Sequence, residues 1–127
     1  GLAGPWQPIR ARAAERSAVR VIASRSHLTT ETRDFISRFQ CEAFVSAGSS
    51  LKFCRVACGQ ADLYPRLART MEWDTAAADA VLRAAGGRVV TLDGRDLEYG
   101  KREQARDADF ANPGFIAAGA WNPLADD

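Results

Sequence analysis

Val19-Arg20-Val21-Ile22-Ala23-Ser24 is a short apolar run rich in β-branched residues, and Thr29-Thr30-Glu31 follows it with the residues that open helices. The run predicts a buried strand. The threonines and glutamate predict a cap for a helix over Thr32 to Phe39, with Phe35, Ile36 and Phe39 on one face. A strand, a turn and a helix decide the fold if the unit repeats, and it does. Residues 41 to 47 read as a second strand, Gly48-Ser49-Ser50 as a turn, and Leu51 to Cys58 as a helix whose apolar positions are Leu51, Phe53, Cys54, Ala57 and Cys58. Ala61 to Leu67 is a third strand. A third helix begins at Asp74, runs through the Ala-rich stretch Thr75 to Ala85 with Val81 and Leu82 as its apolar bulk, and stops at Gly86-Gly87. Arg88 to Leu92 is a fourth strand, which Asp93-Gly94 turns into Asp96 to Tyr99. The charged segment Lys101 to Asp109 reads as a solvated loop, Asn112-Pro113-Gly114 breaks the chain, and Phe115 to Ala118 is the last strand. Such alternation predicts an α/β fold, a layered sheet with helices on both faces.

A length of 127 residues with 46% apolar content suits a single unit over 1–127 that buries an ordinary core. The opening, with Gly1, Gly4, Pro5 and Pro8, reads as if it starts mid-protein, and the Arg- and Ala-rich stretch Ile9 to Arg20 reads as mature sequence rather than a transit peptide. Seventeen Lys and Arg against sixteen Asp and Glu leave a formal charge of +1, which gives no broad footprint for a nucleic acid polymer or an anionic membrane. Anion binding must therefore be local. Only Lys52 and Lys101 are lysines, so each stands out. No apolar run approaches the ~20 residues of a membrane helix. Three cysteines, Cys41, Cys54 and Cys58, predict a reduced, cytoplasmic protein, with Cys54 and Cys58 packed on a shared helix face. The single histidine, His27, lies well away from that pair, which argues against structural zinc.

Ligands of βα units collect beyond the carboxyl ends of the strands. Four segments fall there: Ser24-Arg25-Ser26-His27, Gly48-Ser49-Ser50-Leu51-Lys52, Tyr64-Pro65-Arg66 and Trp73-Asp74. The second offers hydroxyls, amides and an ammonium at a helix start, a place that favours anions. It is equally an ordinary serine cap followed by a solvent lysine. His27 reads as a phosphate or base contact, a proton donor, or a plain loop histidine. Arg66 reads as a fork for a phosphate or as a surface ion pair. Asp74 reads as a helix cap or as a carboxylate for a metal, and the alanines behind it suggest close helix approach. The chain holds no Walker loop, no serine nucleophile elbow and no Cys/His pair with a third partner.

In order, Ser-Arg-Ser-His, Gly-Ser-Ser-Leu-Lys-Phe-Cys, Leu-Tyr-Pro-Arg, Trp-Asp-Thr-Ala-Ala and Asn-Pro-Gly-Phe closely resemble the C-terminal lobe of the bacterial 3'(2'),5'-bisphosphate nucleotidases of the inositol monophosphatase superfamily, from about Trp6 to Ile116. The resemblance implies a Mg²⁺-dependent enzyme, inhibited by lithium, that converts adenosine 3',5'-bisphosphate to AMP and phosphate. It implies that Asp74 is a metal ligand, and that His27, Ser49, Lys52, Arg66 and Asp74 face the substrate. Two departures accompany it. Ala78-Asp79 stand where the family has Gly and often His, so that Asp79 either perturbs substrate binding or points outward. The N-terminal lobe, with its Asp-Pro-x-Asp-Gly-Thr metal motif, is absent. The chain therefore reads as half an active site, inactive alone, exposing the surface that meets its missing lobe and so inclined to form a homo-oligomer. An inositol monophosphatase-type sugar phosphatase lobe and a non-catalytic nucleotide-binding module are the alternatives.

Overall fold

The computed structural model describes residues 5–23, 28–45 and 51–125. Its centre is a five-stranded sheet in the order β2-β1-β3-β7-β5. The strands are β1 (Val19–Ile22), β2 (Cys41–Val45), β3 (Leu63–Arg66), β5 (Arg88–Thr91) and β7 (Phe115–Ala118). β1 is parallel to β2 and β3, whereas β7 runs antiparallel between β3 and β5. A separate pair joins β4 (Thr70–Met71) to β6 (Ala111–Asn112). The helices are α1 (Thr30–Ile36), α2 (Leu51–Ala57) and α3 (Glu72–Ala84).

The period-two alternation of the strands divides the core. Phe115 and Ala117 of β7, Tyr64 of β3 and Val89 of β5 join Phe53 and Val56 of α2 and Ala78 and Leu82 of α3. The alternate residues Ile116, Ala118, Leu63 and Val90 join Phe35 and Phe39, with Trp121 and Leu124 packed against them. Helices thus cover both faces, as the alternation predicts. Leu82 is fully buried, and each such side chain contributes about 1.5–3 kcal/mol. Its neighbour Val81 faces out.

The third helix stops where Gly86-Gly87 predict. Gly86 takes φ +97°, and the amides of Gly86 and Gly87 return to the carbonyls of Arg83 and Leu82 at 3.0 and 2.9 Å, closing a Schellman turn. Its start differs from the expectation. The helix begins at Glu72, not Asp74, because β4 pairs with β6 just before it and the Glu72 amide donates to the Phe110 carbonyl at 2.8 Å. Asp74 is the third helical residue and caps from there, its Oδ2 accepting the Met71 amide at 2.9 Å. The second arm of the expected hairpin reduces to one bridge, Val90 to Asp96, and the break at Asn112 contains β6. Cys54 is half-buried but Cys58 is exposed, so the two do not share a packed face; all three thiols are free.

The opening segment is stitched into the sheet rather than lying free of it. Arg12 Nε and Nη2 donate to Asp62 Oδ1 and Oδ2 at 2.8 and 2.6 Å, and the Ala120 amide donates to the Arg12 carbonyl at 3.0 Å. At Gly119 a Cβ would sit 2.1 Å from the Arg12 carbonyl oxygen, so only glycine admits this crossing. No helix of the described residues is long and apolar enough to cross a membrane.

Candidate active site

Lys52 lies in the first turn of α2, Arg66 at the carboxyl end of β3 and Asp74 in the first turn of α3. Helices α2 and α3 pack on the same face of the sheet and both share in one core cluster. His27 and Ser49 lie outside the described residues.

Lys52 is not a solvent lysine. It is 4% exposed, its ammonium standing 5.4 Å from the centre of the Tyr64 ring. Burial lowers its pKa, and the positive charge of Arg66 lowers it further. The same ring belongs to a cluster in which Phe53, Tyr64 and Phe115 meet edge-on or stacked at 5.4–5.9 Å between centroids, so the wall under the ammonium is rigid and apolar. Burial pushes the Tyr64 phenol up while Arg66 pulls it down. Among the described residues Arg66 forms no ion pair and its buried Nε has no hydrogen-bond partner. The Arg66 charge thus acts against the Lys52 ammonium, and an anion placed between like charges lowers their mutual repulsion.

Asp74 is exposed. Its Oδ2 is held by the Met71 amide, and Oδ1 accepts from no described residue, which leaves one hard oxygen of fixed direction. That donor suits a hard divalent cation. Among the described residues no three His, Cys, Asp or Glu side chains gather into a metal cluster, so Asp74 fits such an ion as one ligand of a set and not as a site.

Behind these groups runs a polar network that the sequence reading missed. Asp79 does not point outward; it is 1% exposed. Its Oδ1 accepts from Arg83 Nε at 2.5 Å and its Oδ2 from the Tyr99 phenol at 2.6 Å. The phenol lies 3.1 Å from Thr75 Oγ1, which accepts Asn112 Nδ2 at 3.1 Å. Asn112 Oδ1 accepts Lys101 Nζ at 2.9 Å, and Lys101 Nζ reaches Glu72 Oε2 at 3.0 Å. Burial opposes the charge of Glu72, but the Gly100 amide at 2.6 Å, the Lys101 amide at 2.9 Å and the Lys101 ammonium outweigh it, and its pKa is lowered. Burial and the Asp79 carboxylate both push the Tyr99 phenol up. The signal was present in the helix period. Glu72, Thr75, Asp79 and Leu82 repeat at spacings of three and four, so two acids fall on the stripe that Leu82 buries.

Residues 4–124 match the inositol monophosphatase family. The chain belongs to that family. Within the family it is 47% identical over 95 residues to the 3'(2'),5'-bisphosphate nucleotidase CysQ of Escherichia coli K12, a match covering 75% of this chain and 37% of that protein. It is 65% identical over 81 residues to an uncharacterised protein from the pss 5' region of Rhizobium leguminosarum, covering 64% of this chain and 82% of that one. The crystal structure of CysQ from Bacteroides thetaiotaomicron, a bacterial inositol monophosphatase family member, superimposes with a TM-score of 0.68 at 43% identity, over 86% of this chain and 40% of that one. The chain thus spans well under half the length of the CysQ proteins it matches. Inositol monophosphatase family structures at lower identity, such as that from Anabaena at 22% with a TM-score of 0.64, share the fold.

Proposed function

We propose that this chain is one lobe, 1–127, of a Mg²⁺-dependent 3'(2'),5'-bisphosphate nucleotidase acting on adenosine 3',5'-bisphosphate, and that alone it is inactive. The observation that carries the reading is the nearness of two like charges, the Lys52 ammonium over the Tyr64 ring and Arg66 acting on both, with the buried Arg66 Nε meeting no hydrogen-bond partner among the described residues. The 47% identity to a bisphosphate nucleotidase supports the substrate class. Lys52 and Arg66 bind and orient a phosphate, Arg66 through its planar fork and Lys52 as a point charge. Phe53, Tyr64 and Phe115 keep water from beneath it. His27 and Ser49 complete the nucleotide contacts. Asp74 offers Oδ1 to the metal, with Oδ2 tied to Met71 so that the carboxylate does not turn. The metal, when bound, supplies an activated water and neutralises phosphate charge.

The remaining carboxylates come from a companion lobe, which meets the outward face of α3, where Trp73 is 69% and Val81 41% exposed. The three free thiols suit a reducing compartment, the cytoplasm. Phosphate release from adenosine 3',5'-bisphosphate with Mg²⁺ tests the reading. The 127-residue chain shows none, whereas calorimetry detects nucleotide binding that Arg66→Ala weakens. Efficient turnover abolished by Asp74→Asn would overturn the half-site, and preference for inositol phosphate would move the lobe to the sugar phosphatases. Nucleotide binding that Asp74→Asn and Mg²⁺ both leave untouched would make it a binding module.

A further inference from the structure

Lys101, one of only two lysines in the chain, lies outside the phosphate site, yet its ammonium meets three oxygens: it pairs with Glu72 Oε2 at 3.0 Å and donates to Asn112 Oδ1 at 2.9 Å and to the Glu98 carbonyl. Glu72 is held still more completely. Its carboxylate takes the Gly100 and Lys101 amides in addition to the ammonium, and its own amide donates to the Phe110 carbonyl at 2.8 Å. Phe110 sits at φ +65°, a backbone setting that non-glycine residues resist, and it is fixed there by its amide on the Lys101 carbonyl at 2.7 Å. The first residue of α3 is therefore pinned by backbone and side chain to one loop. The residue before it, Met71, provides the amide that holds Asp74 Oδ2.

We propose that Lys101 and Glu72 are positioning residues for Asp74: by fixing the first turn of α3 against the 98–112 loop they hold the Met71 amide under the Asp74 carboxylate and so fix the direction of its open oxygen. The role rests on reading Asp74 as a metal ligand. A carboxylate already turned the right way loses no rotamer freedom when an ion arrives, and a ligand contributed from outside the rest of its set needs that order most.

The test compares Lys101→Met, which keeps the apolar stem and removes the ammonium, with Lys101→Arg, which keeps the charge. The readouts are NMR side-chain couplings of Asp74, hydrogen exchange of the Met71 amide, and Mn²⁺-induced broadening at residues 73 to 75. Lys101→Met is expected to speed Met71 exchange about tenfold and to spread Asp74 over the staggered χ1 wells, while Leu63 and Val89 amides keep their protection. Lys101→Arg restores the single rotamer at least in part. Should Lys101→Met also strip protection from Leu63 and Val89, the comparison is read in Lys101→Arg against wild type, where a single Asp74 rotamer supports the role and an averaged one with the loop still protected overturns it. Exposed loop amides with an unchanged Asp74 rotamer and Met71 exchange would reduce the pair to a staple. Absence of Mn²⁺ broadening at Asp74 in the wild type would remove the metal reading alone, since the couplings and exchange still report on positioning.

Discussion

The Tyr99 phenol donates to Asp79 Oδ2 at 2.6 Å, joining α3 to the loop beyond β5 through a carboxylate that is 1% exposed. Arg83 holds the other oxygen of the same carboxylate at 2.5 Å and also reaches the Leu97 carbonyl at 3.2 Å. The Asp79 charge is thus internal scaffolding. Tyr99→Phe is expected to cost about 1–3 kcal/mol, the penalty of leaving a buried acceptor short of a donor. A cycle with Asp79→Ala should show a coupling of about 0.5–3 kcal/mol. Urea midpoints of the two single variants and the double variant measure both; additive costs would mean that the bond contributes nothing of its own.

Much of the fold was legible because it is written in short-range pattern. The sequence predicts the strand Phe115 to Ala118 to the residue, since an apolar run between a Pro-Gly break and a glycine has few other settings. Val19–Ile22 and the stop of α3 at Gly86-Gly87 followed from equally local signals. The start of α3 did not, because β4 and β6 have two residues each and exist only by pairing across some forty positions. The same distance hid the polar network. Glu72 and Asp79 look like surface acids until Lys101 and Tyr99, 29 and 20 residues further on, supply their partners. Of the residues expected at the site, Lys52 and Arg66 occupy the expected ends of their elements, while Asp74 lies two residues inside its helix. That Lys52 would be buried beside an arginine was beyond the sequence, because the Tyr64 ring that covers it comes from the next strand.

Arg12→Ala should destabilise the chain by about 3 kcal/mol. This is the low end for stripping a partner from a buried charge, because Asp62 keeps the Arg20 amide at 2.8 Å. The loss should be accompanied by faster exchange of the Ala120 amide, which donates to the Arg12 carbonyl. Chemical denaturation with exchange mapping checks it, and an unchanged midpoint would show that Arg12 only decorates the sheet end.

The proposed phosphate binding at Lys52 and Arg66 carries a definite pH dependence. The folded-state pKa of Lys52 lies below its ordinary value, through burial and then the charge of Arg66. An anion favours the ammonium and raises that pKa. Affinity for inorganic phosphate, once the phosphate's own second ionisation is complete, is therefore flat below the Lys52 pKa of the free chain and falls as the pH rises through it. Arg66→Ala should weaken binding by about tenfold or more, the loss of a charge-assisted bond, and should also raise the Lys52 pKa by removing its repulsion. Lysine-side-chain NMR titrations with and without phosphate test both signs; a Lys52 pKa indifferent to phosphate would separate the two cations from anion binding.

The Glu72 carboxylate gives stability an acid limb. Burial works against its charge, but the Gly100 and Lys101 amides and the Lys101 ammonium lower its folded-state pKa below that of the unfolded chain. A depressed carboxylate stabilises the fold fully above its unfolded pKa of about 4.3, and the contribution drains away as the pH falls through the folded pKa. The wild type should therefore lose denaturant resistance on acidification more steeply than Glu72→Gln, which begins less stable at neutral pH because the Lys101 ammonium has lost its charged partner. The two stability curves should converge below about pH 4. Urea midpoints taken from pH 7 down to pH 3 measure the gap. A gap that stays constant across that range would show that proton binding at Glu72 is not what links α3 to its loop, and the contribution of the amides would then have to be sought in geometry alone.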